Sequence, residues 1–159
     1  MGKVAGENFL TSIKNGTIAC RKDAQGKIID TLDIVAHSMG YAYSLGICDV
    51  LKGKIKFGKF YVLAPENACS GSINLGDYEE VWQYGANENF TKGGDPPWIQ
   101  DGVAPQCPIN GIDALGDKGG RVYIPSNVEK GFIESHSISN YTWIFDKTKK
   151  QDGYVSPRK

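Results

Sequence analysis

The sequence predicts an α/β fold, a mostly parallel sheet flanked by helices, and three observations predict it. Ile28, Ile29, Leu32, Ile34 and Val35 form an apolar, β-branched run of the kind that builds buried parallel strands. Met39, Ala42, Tyr43, Gly46, Ile47 and Val50 follow at helical spacing, with one apolar face to lay on a sheet. A second apolar run, Phe57 to Ala64, completes a strand, helix, strand unit whose crossover is expected to be right-handed.

The remaining elements fall on either side of that unit. Phe9, Leu10 and Ile13 predict a short amphipathic helix that stops near Gly16. Arg21 to Lys27 is polar and reads as a turn into the first strand, and Lys52 to Lys56 is a basic loop before the second, which ends at Pro65. Glu80 to Gly85 is a third strand candidate and Arg121 to Ile124 a fourth. Between them, Ala86 to Gly120 is rich in Gly, Pro, Asn and Asp and has no period. A loop of that length in a compact domain is usually functional or a sign that the element assignment is wrong. Lys147 to Lys159 is polar and is expected to fray. No internal repeat interrupts residues 1–159, and 159 residues suit one domain with a usable core.

Composition excludes several function classes. With 18 basic and 18 acidic residues the formal charge is zero, so no broad field recruits nucleic acid or an anionic membrane. No apolar run approaches the length of a membrane span, and the first residues lack a signal-peptide core, so a soluble chain is expected. The four cysteines, Cys20, Cys48, Cys69 and Cys107, contain no CxxC pair, which argues against a zinc or dithiol redox site. Cys48 reads as a small buried hydrophobe on the helix. Cys69 and Cys107, in Gly/Pro-rich stretches, can pair in an oxidising compartment.

The chemistry concentrates at Ile34-Val35-Ala36-His37-Ser38-Met39-Gly40. A serine on a sharp turn between strand and helix requires small residues two before and two after it, and Ala36 and Gly40 meet that demand. The plainer use of such a serine is to cap the helix with its hydroxyl. A strand before and a helix after favour the nucleophile.

With its His37-Ser38-Met39-Gly40 elbow the chain resembles the α/β-hydrolase family, and within it the lipases and esterases. Ala36 stands where most members have glycine, as in some lipases. The resemblance runs from the first helix to about Trp143 and implies a partial α/β-hydrolase fold, the C-terminal portion. Family members carry several strands before the elbow strand. The resemblance therefore implies a missing N-terminal partner segment, or a homodimer, that covers the elbow strand's open edge.

It also implies a triad in the order Ser, acid, His. Ser38 is the nucleophile. Of two histidines, His37 precedes the serine on the strand and points away from the hydroxyl, a position that in the family packs near the elbow. His136, in Glu134-Ser135-His136-Ser137, is the candidate general base. Asp101 opens Asp101-Gly102-Val103-Ala104-Pro105, similar to an Asp-Gly-Val-Val-Pro run of many lipases, and is the candidate acid. Asp95, before Pro96 and Pro97, is its rival, while Asp113 and Asp117 read as loop residues. The backbone N–H of Met39 would supply one oxyanion donor, and the second normally comes from a loop upstream of the elbow strand.

The expected reaction is hydrolysis of a carboxylic ester, lipid or other, through an acyl-serine, with no cofactor and no metal. Tyr61, Tyr78, Trp82, Tyr84, Phe90 and Trp98 would either wall an acyl pocket or pack the core. Two further expectations stand beside the enzyme: a non-catalytic binding or assembly module that keeps the elbow, and a lipase-type toxin domain of a larger secreted protein.

Overall fold

The computed structural model describes residues 1–71, 73–85, 107–123, 136–146 and 154–155. Its described elements are helix α1 (Gly2–Lys14), strand β1 (Thr31–His37), helix α2 (Gly40–Leu51), and strands β2 (Lys56–Leu63), β3 (Glu80–Gly85), β4 (Gly119–Tyr123) and β5 (Tyr154–Val155). The strands form one sheet in the order β1-β2-β3-β4-β5. The first four run parallel, and β5 pairs antiparallel with β4. The α/β class read from the sequence is the class observed.

Alternation along the strands divides the core in two. On β2, Phe60 and Val62 face α1 and α2, where they join Ile13, Tyr41, Leu51 and Ala36. Leu63 and the half-buried Tyr61 face the other way, joining Trp82, Tyr84 and Val122 under Tyr141 and Ile144. The latter pair belongs to a run of 3-10 turns, Ile138–Asp146, that covers the second face. A strand whose successive side chains point to opposite faces needs apolar residues throughout when both faces are covered; Phe60 to Leu63 of β2 meet that need, as do Val81 to Tyr84 of β3 apart from Gln83.

The helices α1 and α2 pack backbone to backbone. A Cβ placed on Gly46 would lie 3.0 Å from the Cα of Gly2, so these two positions are held to glycine by close approach. On the same side of the sheet, Gln83 is fully buried and spans two backbone groups: its amide Nε2 donates to Cys107 O at 2.8 Å, and its Oε1 accepts from Ile109 N at 2.8 Å. Arg121, 3% exposed, pairs with Asp113 at 2.7 Å. These contacts fasten residues 107–115 to the sheet, which accounts for Asp113 as a structural residue.

The structure departs from the sequence reading along β1 and in the tail. Ile28 and Ile29 do not extend β1; Ile28 forms an isolated antiparallel bridge with Lys22. β1 itself lies at the edge of the sheet and is not buried on both faces: Val35 is 49% exposed. Its apolar character suited an interior strand, but neighbours decide burial, and among the described residues β1 has only β2 beside it. Within the tail expected to fray, Tyr154–Val155 pair with β4. Among the described residues no helix is long and apolar enough to cross a membrane.

Candidate functional site

The C-terminal ends of the parallel strands build the site. His37, the last residue of β1, stands opposite Leu63, the last of β2. The residues just beyond these two ends therefore meet. Ser38 follows His37 with φ 56, left-handed backbone for a non-glycine residue, and α2 starts two residues later. This is the sharp strand-to-helix turn the motif requires. The turn is tied at both sides: Ser38 N–H donates to Leu63 O at 2.9 Å, and Ser38 C=O accepts from Tyr41 N at 3.1 Å.

The Ser38 hydroxyl faces two partners. His136 Nε2 lies 3.0 Å from Oγ, and the hydroxyl donates to Glu66 Oε1 at 3.1 Å. Ser38 and His136, singled out from sequence on different grounds and 98 positions apart, are thus brought within hydrogen-bonding distance. His136 is 9% exposed, so its ring is largely withdrawn from competing water.

His37 has a role that its place on the strand did not reveal. Its Nε2–H donates to the backbone carbonyl of His136 at 2.6 Å, and the two rings lie 5.0 Å apart. Tyr141 sits against His37 on the other side, with centroids 6.4 Å apart. The side chain thereby holds the backbone of the residue whose ring approaches the serine hydroxyl. An acceptor carbonyl requires the proton on Nε2, so this bond also sets the His37 tautomer.

Met39 is the residue before α2, and its backbone N–H has no hydrogen-bond acceptor among the described residues. A free N–H at a helix start, one residue past Ser38, stands where a serine nucleophile would need an oxyanion donor. Asp101 and its rival Asp95 lie outside the described residues, as do Phe90 and Trp98. Of the other aromatic candidates, Tyr78 stacks on Phe57 and Phe60 in the helix-side core, while Trp82 and Tyr84 are buried in the opposite one. Burial pushes the phenols of Tyr78 and Tyr84 well above their ordinary range.

Glu66 was missed by the sequence reading, which stopped β2 at Pro65 and looked further along the chain for a carboxylate. The available signal was positional. A carboxylate just past the C-terminal end of the strand beside the elbow strand stands where α/β sheets gather their functional groups. Its loop is unusually constrained. Ala64 has φ 41 and Asn67 φ 47, and Cys69 is joined to Cys107 by a disulfide. Of the remaining cysteines, Cys48 is buried, as expected of a small hydrophobe, and burial raises its thiol.

Tyr41, in the first turn of α2, is 1% exposed, and its hydroxyl has no hydrogen-bond partner among the described residues. Burial pushes this phenol up to about 12. Two open depressions among the described residues have volumes of about 350 and 390 Å³, and neither is lined by Ser38 or His136. No group of three or more metal-ligating side chains occurs among the described residues. Compared with family models, curated proteins and solved structures, the chain matches none.

Proposed function

We propose that this chain is a serine hydrolase of lipase or esterase type, acting on carboxylic esters through Ser38 and His136 on a partial α/β-hydrolase fold. One observation carries the reading: a serine in strained left-handed backbone between a parallel strand and a helix, its Oγ 3.0 Å from a histidine Nε2. A capping serine has no need of the histidine, and backbone strain of about 1–3 kcal/mol persists only where the surrounding structure holds it.

The mechanism follows from the atoms in reach. His136 takes the Ser38 proton as Oγ attacks the ester carbonyl, then gives it to the departing alcohol; water later cleaves the acyl-serine and releases the acid. The Met39 N–H donates to the oxyanion. Asp101 is the carboxylate this reading assigns to orient His136, with Asp95 as its rival. A fluorophosphonate probe is expected to label Ser38, and neither Ser38→Ala nor His136→Ala should label. Labelling at another residue, or a folded chain inert to the probe, would sink the hydrolase reading.

The edge position of β1 favours a second reading, a binding or assembly module. Val35 is 49% and Met39 69% exposed, beside a strand with one described neighbour. Such an edge is a template for another strand, from a second copy or from a partner segment. Mass in solution, measured alongside p-nitrophenyl ester turnover, separates the readings. A monomer with efficient turnover would exclude the assembly module.

A further inference from the structure

We propose that Glu66 is a second catalytic carboxylate, the group that accepts the proton of the hydrolytic water in deacylation, while His136 serves acylation. This rests on the ester-hydrolase reading of Ser38. Glu66 Oε1 lies 3.1 Å from Ser38 Oγ and His136 Nε2 lies 3.0 Å from the same oxygen. A serine hydroxyl has one proton, and two groups able to take it converge here: Glu66 Oε1, to which it donates, and His136 Nε2 in the tautomer that leaves this nitrogen unprotonated. A Ser–His couple needs only one.

The loop around Glu66 is built to keep that carboxylate in place. Ala64 on one side has φ 41 and Asn67 on the other φ 47, conformations that non-glycine residues adopt only under constraint. Ala64 N–H is anchored to Tyr84 O at 2.8 Å, and Ser70 N–H to Asn67 O at 2.9 Å. The disulfide from Cys69 to Cys107 closes the turn that follows. A glutamate that merely solvates a loop needs none of this.

Acylation changes what the carboxylate faces. Once Oγ is esterified it has no proton to donate, and Glu66, only half-buried, is left an acceptor beside the bond to be cleaved. A water there becomes the donor. Its oxygen attacks the acyl carbon, one of its protons passes to Glu66, and the carbonyl π pair moves to oxygen. The tetrahedral species then collapses, the carbon–Oγ bond breaks, and Oγ recovers the proton from Glu66. The acid is released with the serine hydroxyl and the carboxylate restored.

The test is stopped-flow hydrolysis of p-nitrophenyl acetate by the full chain and its Glu66→Gln variant. The amide keeps the shape and reach but cannot take up a proton. Glu66→Gln is expected to retain the p-nitrophenol burst, which also reports an intact fold, while steady-state turnover falls about a hundredfold. Peptide mass spectrometry should then find acetyl accumulated on Ser38. Glu66→Asp should recover part of the turnover, and His136→Gln should lose the burst. Unchanged turnover in Glu66→Gln, or a burst lost in step with turnover, overturns the proposal and leaves the hydrolase reading standing. An unsubstituted chain that turns over without a burst, its deacylation already faster than acylation, overturns the proposal, and one with neither burst nor turnover overturns both.

Discussion

The turns around α1 and the turns at the strand ends solve the same backbone problem with different residues. After α1 the chain reverses through Gly16 at φ 80 and Gly26 at φ 81, both on the surface, where a Cβ would meet nothing within 4 Å. At the C-terminal ends of β1 and β2 the left-handed positions belong to Ser38, Ala64 and Asn67, and these are the non-glycine residues with positive φ among the described residues. Glycine adopts that conformation freely, while other L-residues incur about 1–2 kcal/mol. Where the chain need only turn, it uses the residue without strain. Where a side chain must be presented, or a carboxylate held between two bends, strain is retained. The clustering of strain at one end of the sheet supports the proposed site there more than any single contact does.

The largest expected effect comes from making the elbow resemble a surface turn. Ser38→Gly removes the proposed nucleophile and relaxes φ 56. Ester turnover should fall on the order of 10⁶-fold, while the melting temperature is expected to be no lower than that of the parent. A marked loss of thermal stability would mean that Ser38 is there for the fold, and the contrast between the two regions would collapse.

The reverse exchange is smaller. Gly26→Ala places a Cβ in open space, so its cost isolates the backbone term, about 1 kcal/mol. In chemical denaturation the midpoint should drop accordingly, with ester turnover unchanged. If stability does not change, left-handed backbone is not costly in this chain, and the strain argument at Ser38 loses its force.

The smallest effect sharpens the comparison within the site. Asparagine tolerates left-handed backbone better than most residues, so Asn67→Gly should gain only a few tenths of a kcal/mol. Because glycine loosens the loop that holds Glu66, turnover should fall although stability does not. A variant with full turnover would show that the bend after Glu66 is incidental to its position.

Much of the architecture was legible because it is written in short periods. Glu80 to Gly85 was read as a strand and is β3; the apolar run from Phe57 lies within one residue of β2; helical spacing after Ser38 anticipated α2. Ser38 was legible because its turn demands small residues two positions away on both sides. His136 was reached through the expected order of a triad and the shortage of histidines. Ile28 and Ile29 misled because an apolar, β-branched run looks the same whether or not it has two neighbours to pair with.

By itself, then, the sequence determined the α/β class, the strands and helices of the strand-helix-strand unit, and the serine at its turn. Each depends on residues a few positions apart, whose propensities act locally. Tertiary structure alone decided that β1 stands at the sheet edge, that Glu66 meets Ser38 across 28 positions, and that His37 holds the backbone of His136 across 99. It also closed the disulfide between Cys69 and Cys107, 38 positions apart. These contacts depend on how parallel strands align their ends, and strand register is set by the packing of both faces of the sheet together.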